Sequence, residues 1–431
     1  MHEGVPKLEL NAIWNVDHES RKSDSISIEV ENYSEELKKI LSRLNICSKE
    51  YVVRQYDHEV QGSSVIKPLM GRENDGPSDS AVIRPIEIAK KNSWVGVGIS
   101  NAIIPRYSDI DAYNMTACCI DESIRNLVSS GVNPQYIALL DNFCWPDPVY
   151  DEIKTPDGKF KLAQLVRANK ALYDYAVKFR TPFISGKDSM KNDYKIKGVK
   201  ISVPPTLLIS AIGKVDDVRN CITIDAKNPG DYVYIIGLTK DELGASEFYA
   251  MHNIVGSKVP EVDAVSAMQI FKAIHKAISK GLLNSCHDCS DGGIAVALSE
   301  TAFSGSVGMK IDLDKIPIEK KLEDQDHYKI LFSESQSRFV VTVSPENFES
   351  FEKILRSERC EGDEGYDGCN RSDSIKFARI GIVQEDYFVI TSIIKRDHLS
   401  FEKEIVNVHW EDLKESWQKT LRLSSFEIVK L

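Results

Sequence analysis

Two apolar runs, residues 136–140 and 183–184, each lead into a cluster of polar groups, and a single amphipathic segment separates them. The first half reads YIALLDNFCWPDP and the second PFISGKDSMKND. Between them, Leu162, Leu165, Val166, Leu172, Ala176 and Phe179 recur at helical spacing, which predicts one helix over 162–179 flanked by two strands. A strand–helix–strand unit confines the chain to α/β or α+β architectures, whose ligand crevices open where strands end. Asp141, Asn142, Lys187, Asp188 and Ser189 are therefore expected in turns at such a crevice. Their chemistry suits a magnesium–phosphate site. Carboxylate and amide oxygens hold a hard cation at about 2.0–2.1 Å, Gly186 lets a backbone N–H approach a phosphate, and Lys187 adds positive charge. The competing account is two polar turns that merely follow buried strands.

Bulk properties narrow the choice further. A chain of 431 residues exceeds one ordinary core and predicts two domains. The sequence has no run of about 18 apolar residues, and its start, MHEGVPKLEL, has neither a basic nor an apolar leader region. The expectation is a cytoplasmic protein without a membrane partner. A net charge of −11 argues against a nucleic-acid surface, which needs clustered Lys and Arg, so any phosphate must be met by local cations and metal. Nine cysteines in no regular framework fit a reducing compartment. Cys286 and Cys289 form a CxxC, but no second ligand pair stands at zinc-site spacing. Two nucleotide motifs fail. GVGISN at 96–101 lacks the third glycine of a dinucleotide fingerprint, and SGKDS has Thr181 where a P-loop needs its first glycine and Asp188 where it needs Ser or Thr.

Along the chain, 1–44 is mixed and polar, with a loop at 23–27 and a short helix at 34–44. Short β-rich runs follow at 51–54, 64–68, 81–85 and 94–99. A helix is expected over 113–130, closed by Gly131, and a buried strand pair over 203–214, broken at Pro204 and Pro205. A boundary near 216–229 precedes a strand at 232–237, a helix at 264–280 capped by Asp263, a helix at 294–303 and a strand at 338–343. Residues 360–374 read as an exposed loop. Glu122 and Asn126 are four apart on the 113–130 helix and so share a face, which makes them a magnesium-ligand pair or an ordinary solvated surface.

Further motifs run in a fixed order: NICSKEYVVRQYDHEVQGSSV (45–65), GPSDSAVIRP (76–85), DESIRNLVSSG (121–131), NPGDYVYIIGLTKDELGASE (228–247), HDCSDGGIAVALSE (287–300) and FSESQSRFVVTV (332–343). In these and in the two polar clusters the chain resembles the second, C-terminal half of the phosphoribosylformylglycinamidine synthases, over about residues 45–343. The resemblance implies a mixed α+β, aminoimidazole ribonucleotide synthetase-like unit. Its parts would be a linker over 1–44, a β-rich domain over 45–215 carrying a nucleotide–magnesium site and a dimer surface, and an α/β domain over 216–431.

It also implies ligase chemistry of de novo purine biosynthesis. ATP phosphorylates the amide oxygen of formylglycinamide ribonucleotide, and ammonia displaces the phosphate to give formylglycinamidine ribonucleotide. By the same resemblance Asp79, Glu122, Asn126 and Asp288 would hold Mg2+, with Lys49 and Ser290 on the ADP or ATP beside it. Asp141 and Gly186 would contact the catalytic ATP, Lys187 its phosphates, and Ser189 the substrate. Lys187 replaces a magnesium-binding Asn of the shorter enzymes, which favours a direct lysine–phosphate contact. His58 and His287 are expected to be hydrogen-bonded structural residues. No glutaminase Cys/His/Glu arrangement is recognisable, so the implied partners are the first half of the synthetase, a glutaminase subunit or domain, and a homo- or pseudo-dimer mate. The alternative is an assembly module that holds ADP–magnesium and performs no chemistry.

Overall fold

Side chains of strand Gly96–Ile103 alternate between buried and more exposed positions, the pattern of a sheet with one covered and one open face. In the computed structural model, which describes residues 9–14, 26–57, 59–60, 62–87, 90, 92–322, 327–358, 374–396 and 399–422, this strand belongs to a six-stranded sheet. The order is Ser64–Ile66, Ala81–Ile83, Gly96–Ile103, Thr206–Val215, Ile137–Cys144, Phe183–Ser189. Neighbours are antiparallel except the last two, which run parallel and are joined by helix Gly158–Phe179.

The covered face packs on helix Ala112–Ser129, which is buried nearly all round because helices Gly158–Phe179 and Ala264–Ser279 also lie against it. Asp111 starts it, accepting from Tyr113 N at 2.9 Å while Arg167 grips the same carboxylate at 2.6 and 2.7 Å. Gly131, at φ +100°, ends it as expected.

A second, seven-stranded sheet runs Ser285–Asp288, Phe339–Val343, Tyr232–Ile236, Phe377–Gln384, Gly308–Asp312, Tyr387–Arg396, Leu399–His409. The two sheets share a core in which Phe179, Phe271 and Phe339 meet. On its other side the second sheet packs with helices Gly293–Gly305 and Trp410–Gln418, and helix Tyr33–Leu41 joins that core through Leu37, Ile40 and Leu41. Among the described residues no helix is long and apolar enough to cross a membrane.

Two local expectations change. Residues 51–54 are β-prone in composition, yet Glu50–Val53 form a helical turn, with Val53 N bonded to Lys49 O at 3.0 Å. The pair broken at Pro204–Pro205 is not uniformly buried: Val199–Ser202 forms a projecting ribbon with Asp193–Ile196, and only Thr206–Val215 enters the sheet. The loop-like 23–27 and 360–374 fall largely outside the described residues, and His58 entirely so.

Candidate functional site

The polar clusters after 140 and 184 are not turns. The strands continue through them, because the parallel pair keeps its ladder: Asp141 opposite Gly186, Asn142 opposite Lys187, Phe143 opposite Asp188, Cys144 opposite Ser189. Residues directly opposite share a face. Asp141, Gly186 and Asp188 therefore lie on the helix-covered side and Asn142, Lys187 and Ser189 on the open side, so the set divides. Asp141 is pushed above its ordinary value by partial burial and by the charge of Asp188. Gly186 has a packing role the sequence did not reveal, since a Cβ there would sit 2.5 Å from the Asp141 carboxylate. Lys187 is exposed, and the Ser189 hydroxyl donates to Asn192 Oδ1 at 3.0 Å.

Of the predicted metal ligands, Asp79 and Asp288 meet. Asp288 ends the edge strand Ser285–Asp288, and Asp79 reaches it from the first sheet, accepting from Asp288 N at 3.0 Å. His287 lies between Asp79 and Glu300, with ring nitrogens 2.7 and 2.9 Å from the two carboxylates. Burial alone would lower the pKa of this imidazole, but the two carboxylates hold it well above its usual value. The expected structural role of His287 is what its contacts describe. Burial likewise opposes ionisation of Asp79, and the facing imidazole outweighs it, leaving Asp79 below the ordinary carboxylate range.

Glu122 is pushed up to about 8 by burial and by the charge of Asp288, which is itself raised to about 6 by burial and by Asp79. Asn126 is buried, and its Oδ1 has no hydrogen-bond partner although its amide nitrogen donates to Asn101 O at 3.3 Å. Ligand atoms of Asp79, His287 and Asp288 lie within 4.8 Å of one another, a grouping that could hold a divalent cation. Lys49 folds back onto the carbonyls of Asn45 and Cys47, at 3.1 and 2.5 Å, and Ser290 is half-buried before Gly292. Cys286 and Cys289 are buried, and burial raises both thiols away from the thiolate form.

Several members of the site were not anticipated. Arg125, fully buried, pairs with Asp121 and reaches Asp288 Oδ2 at 3.2 and 3.3 Å and Gln336 at 3.2 Å. Asp121 is also held by Ser337 N at 3.0 Å and by Ser337 Oγ at 2.6 Å. Glu334, raised to about 7 by burial, accepts from Tyr107 OH at 2.7 Å and from the N–H groups of Glu247 and Gly292 at 2.9 Å each. Asp291 is likewise pushed far up by burial and by Glu334. The signals were present in DESIRN, with its i,i+4 Asp–Arg pair, and in FSESQSR, whose Glu and Arg interrupt an apolar stretch.

Residues 228–363 match the family described as AIR synthase related protein, C-terminal domain. The phosphoribosylformylglycinamidine synthase subunit PurL of Thermococcus sibiricus is 34% identical over 334 residues, covering 78% of this chain and 42% of that protein. Among solved structures, T. maritima PurL complexed with FGAR superposes with a TM-score of 0.62 at 18% identity, covering 89% of this chain and 53% of that one. T. maritima PurL complexed with ATP gives 0.54 at 18% identity, over 81% and 48%. The structural likeness speaks to fold. The chain spans about half the length of the curated relatives it matches.

Proposed function

The chain is a relative of the phosphoribosylformylglycinamidine synthase subunit PurL, with the mixed α+β fold of that group, and on that premise we propose that it supplies the second, C-terminal half of such a synthase. In that role it works with a first half and an ammonia-delivering glutaminase subunit or domain. It converts formylglycinamide ribonucleotide, ATP and ammonia to formylglycinamidine ribonucleotide, ADP and phosphate in the cytoplasm. Residues 45–215 form the β-rich domain and 216–431 the α/β domain, a division supported by strands of the first sheet ending at Val215 and those of the second beginning at Tyr232.

One observation carries this reading. The open face of the first sheet bears Ile83, Ile99, Ile103 and Ile212, exposed by 38, 45, 50 and 39%, and Lys187 and Ser189 stand on the same face at the sheet's edge. An apolar face of this kind is an interaction surface. A first half docked there, in pseudo-dimer fashion, brings its own reacting groups to Lys187 and Ser189 and excludes water from them. Lys187 then neutralises charge on the transferring phosphoryl group and Ser189 orients the substrate, while Asp141 and Gly186 line the nucleotide from the other side. Chemistry of this type rests on positioning and charge, so no proton-transfer residue is required from this chain. At the second locus Asp79, Glu122, Asn126 and Asp288 would hold Mg2+, with Lys49 and Ser290 toward an ADP or ATP. The metal when bound offsets carboxylate and phosphate charge.

The test is reconstitution with ATP, Mg2+, ammonium and formylglycinamide ribonucleotide. The chain alone should give no formylglycinamidine ribonucleotide and the mixture with a matching first half should. Turnover in the mixture that is untouched by Lys187→Ala and Ser189→Ala would instead favour an assembly module that holds nucleotide without chemistry.

A further inference from the structure

Arg106 follows strand Gly96–Ile103 in the turn PRYSD, with a side chain only 31% exposed. Its Nε is buried and has no acceptor, and its Nη1 stops 3.7 Å from Glu247 Oε1. Glu247 does not need it. That carboxylate is 3% exposed and already holds the Arg43 guanidinium on Oε2 and Asn45 Nδ2 on Oε1 at 2.7 Å. The carbonyl of Asn45 in turn holds the Lys49 ammonium. Arg43 and Arg106 thus flank one carboxylate, and Lys49 is tied to the same corner through Asn45.

This cationic corner is joined to the carboxylates by short links. Tyr107, next to Arg106, donates to Glu334, and Glu334 also takes the N–H groups of Glu247 and of Gly292, in the turn that carries Asp288 and Ser290. On the other side of that hub Asp79, Glu122, Asp288 and Asp291 outnumber Arg125 and His287. A ligand matching both ends is a polyanion bridged by a divalent cation, with the metal on the acidic side and phosphate on the basic side.

We propose that Arg106 is a phosphate-binding residue of this site, with its buried Nε–H donating to a phosphate oxygen of a magnesium-bound nucleoside diphosphate. Arg43 and Asn45 share Glu247 with Arg106, whose own ion pair with that carboxylate is long, at 3.7 Å. The inference rests on the reading of Asp79, Glu122, Asn126 and Asp288 as a magnesium–nucleotide site. A buried guanidinium donor without an acceptor carries an unrelieved desolvation cost, and a charge-assisted bond to phosphate relieves it.

Titration of the full chain with Mg-ADP and with adenosine tests it. Arg106→Met should weaken Mg-ADP binding about 10–100-fold, the size of one charge-assisted hydrogen bond. It should leave adenosine binding unchanged, and Arg106→Lys should fall between. In the wild-type chain, Mg-ADP should shield Arg106 from phenylglyoxal in a mass map and adenosine should not, an arm that needs no folded variant. Equal Mg-ADP affinity in Arg106→Met, or a still-reactive Arg106 at saturating Mg-ADP, overturns the proposal and leaves the nucleotide site standing. A wild-type chain that binds no Mg-ADP, and is indifferent to Glu122→Gln, overturns both.

Discussion

Around Asp288 the chain gathers carboxylates from four segments and encloses them in protein, whereas at Lys187 it carries polar groups on an edge strand open to solvent. Both regions contain the residue types expected of magnesium and phosphate chemistry, but their energetics differ. In the enclosed region every charge is set against burial, so protonation and stability register any change. On the edge strand solvent screens each charge, so the fold is indifferent to the side chains and only a docked partner gives them work. Stability measurements should therefore read one region and activity measurements the other.

Arg125→Met is the severest test of that contrast. It leaves Asp121 and Asp288 without their buried counter-charge and should cost about 3–5 kcal/mol in denaturant unfolding. Asp121→Asn in the same chain should recover part of this, since one stranded charge goes. A cost within about 1 kcal/mol of Lys187→Ala, which should lie inside ±0.5 kcal/mol as a surface change, would mean that the enclosed carboxylates are relieved by something other than Arg125.

Lys187→Ala should reverse the pattern, with melting unchanged but turnover in the reconstituted mixture lower by about 10²–10³, the range for loss of one preorganised charge-stabilising group. Loss of folding without loss of turnover would erase the distinction between the regions.

Glu122→Gln sharpens the comparison because two signs oppose. Excess Mg-ADP at a hundred- to thousandfold Kd should stabilise the wild-type chain by roughly 3–4 kcal/mol, and the variant should lose most of that. Without ligand at pH 8, the variant should be slightly more stable than wild type, because a neutral amide replaces a carboxyl whose ionisation burial and Asp288 resist. Identical melting of the two chains with and without Mg-ADP would remove Glu122 from the site.

Local signals were legible. The helix Ala264–Ser279, with Asp263 accepting from Val265 N and Ser266 N, is a matter of cap and period, and so is Gly158–Phe179. Asp79, Glu122, Asn126 and Asp288 were found through resemblance, and the fold sets Asp79 against Asp288. What sequence could not supply was register and depth. Whether Asp141 and Lys187 share a face depends on which residues pair across strands 45 positions apart. Whether Asp121–Arg125 is a solvated i,i+4 pair or a buried one depends on three other elements closing over it. Glu334 lay in a quoted motif, yet its partners Tyr107, Glu247 and Gly292 are 227, 87 and 42 residues away.

The last expected effect is in pH, and its sign distinguishes the two regions. Glu122, Glu334 and Asp288 are held at about 8, 7 and 6 in the folded chain, first by burial and for Glu122 and Asp288 also by neighbouring charge. Unfolded, each titrates near 4, so the folded state keeps protons that the unfolded state has released, and stability falls as pH rises from about 5 to 8. His287 adds to this fall: raised above 6.5 by Asp79 and Glu300, it contributes fully below that value and fades as pH climbs through its folded pKa. His275, lowered by burial, opposes through the same window, and the depressed Asp79 contributes a constant, since its loss comes only in stronger acid. In chelator the chain should lose stability between pH 5 and 8 by denaturant titration. Saturating Mg-ADP should flatten it, because a bound cation keeps Glu122 and Asp288 ionised throughout. Ser189→Ala on the edge strand should leave the slope as it was. Chelated protein that instead grows more stable toward pH 8 would show that the enclosed carboxylates are not the groups that set its pH response.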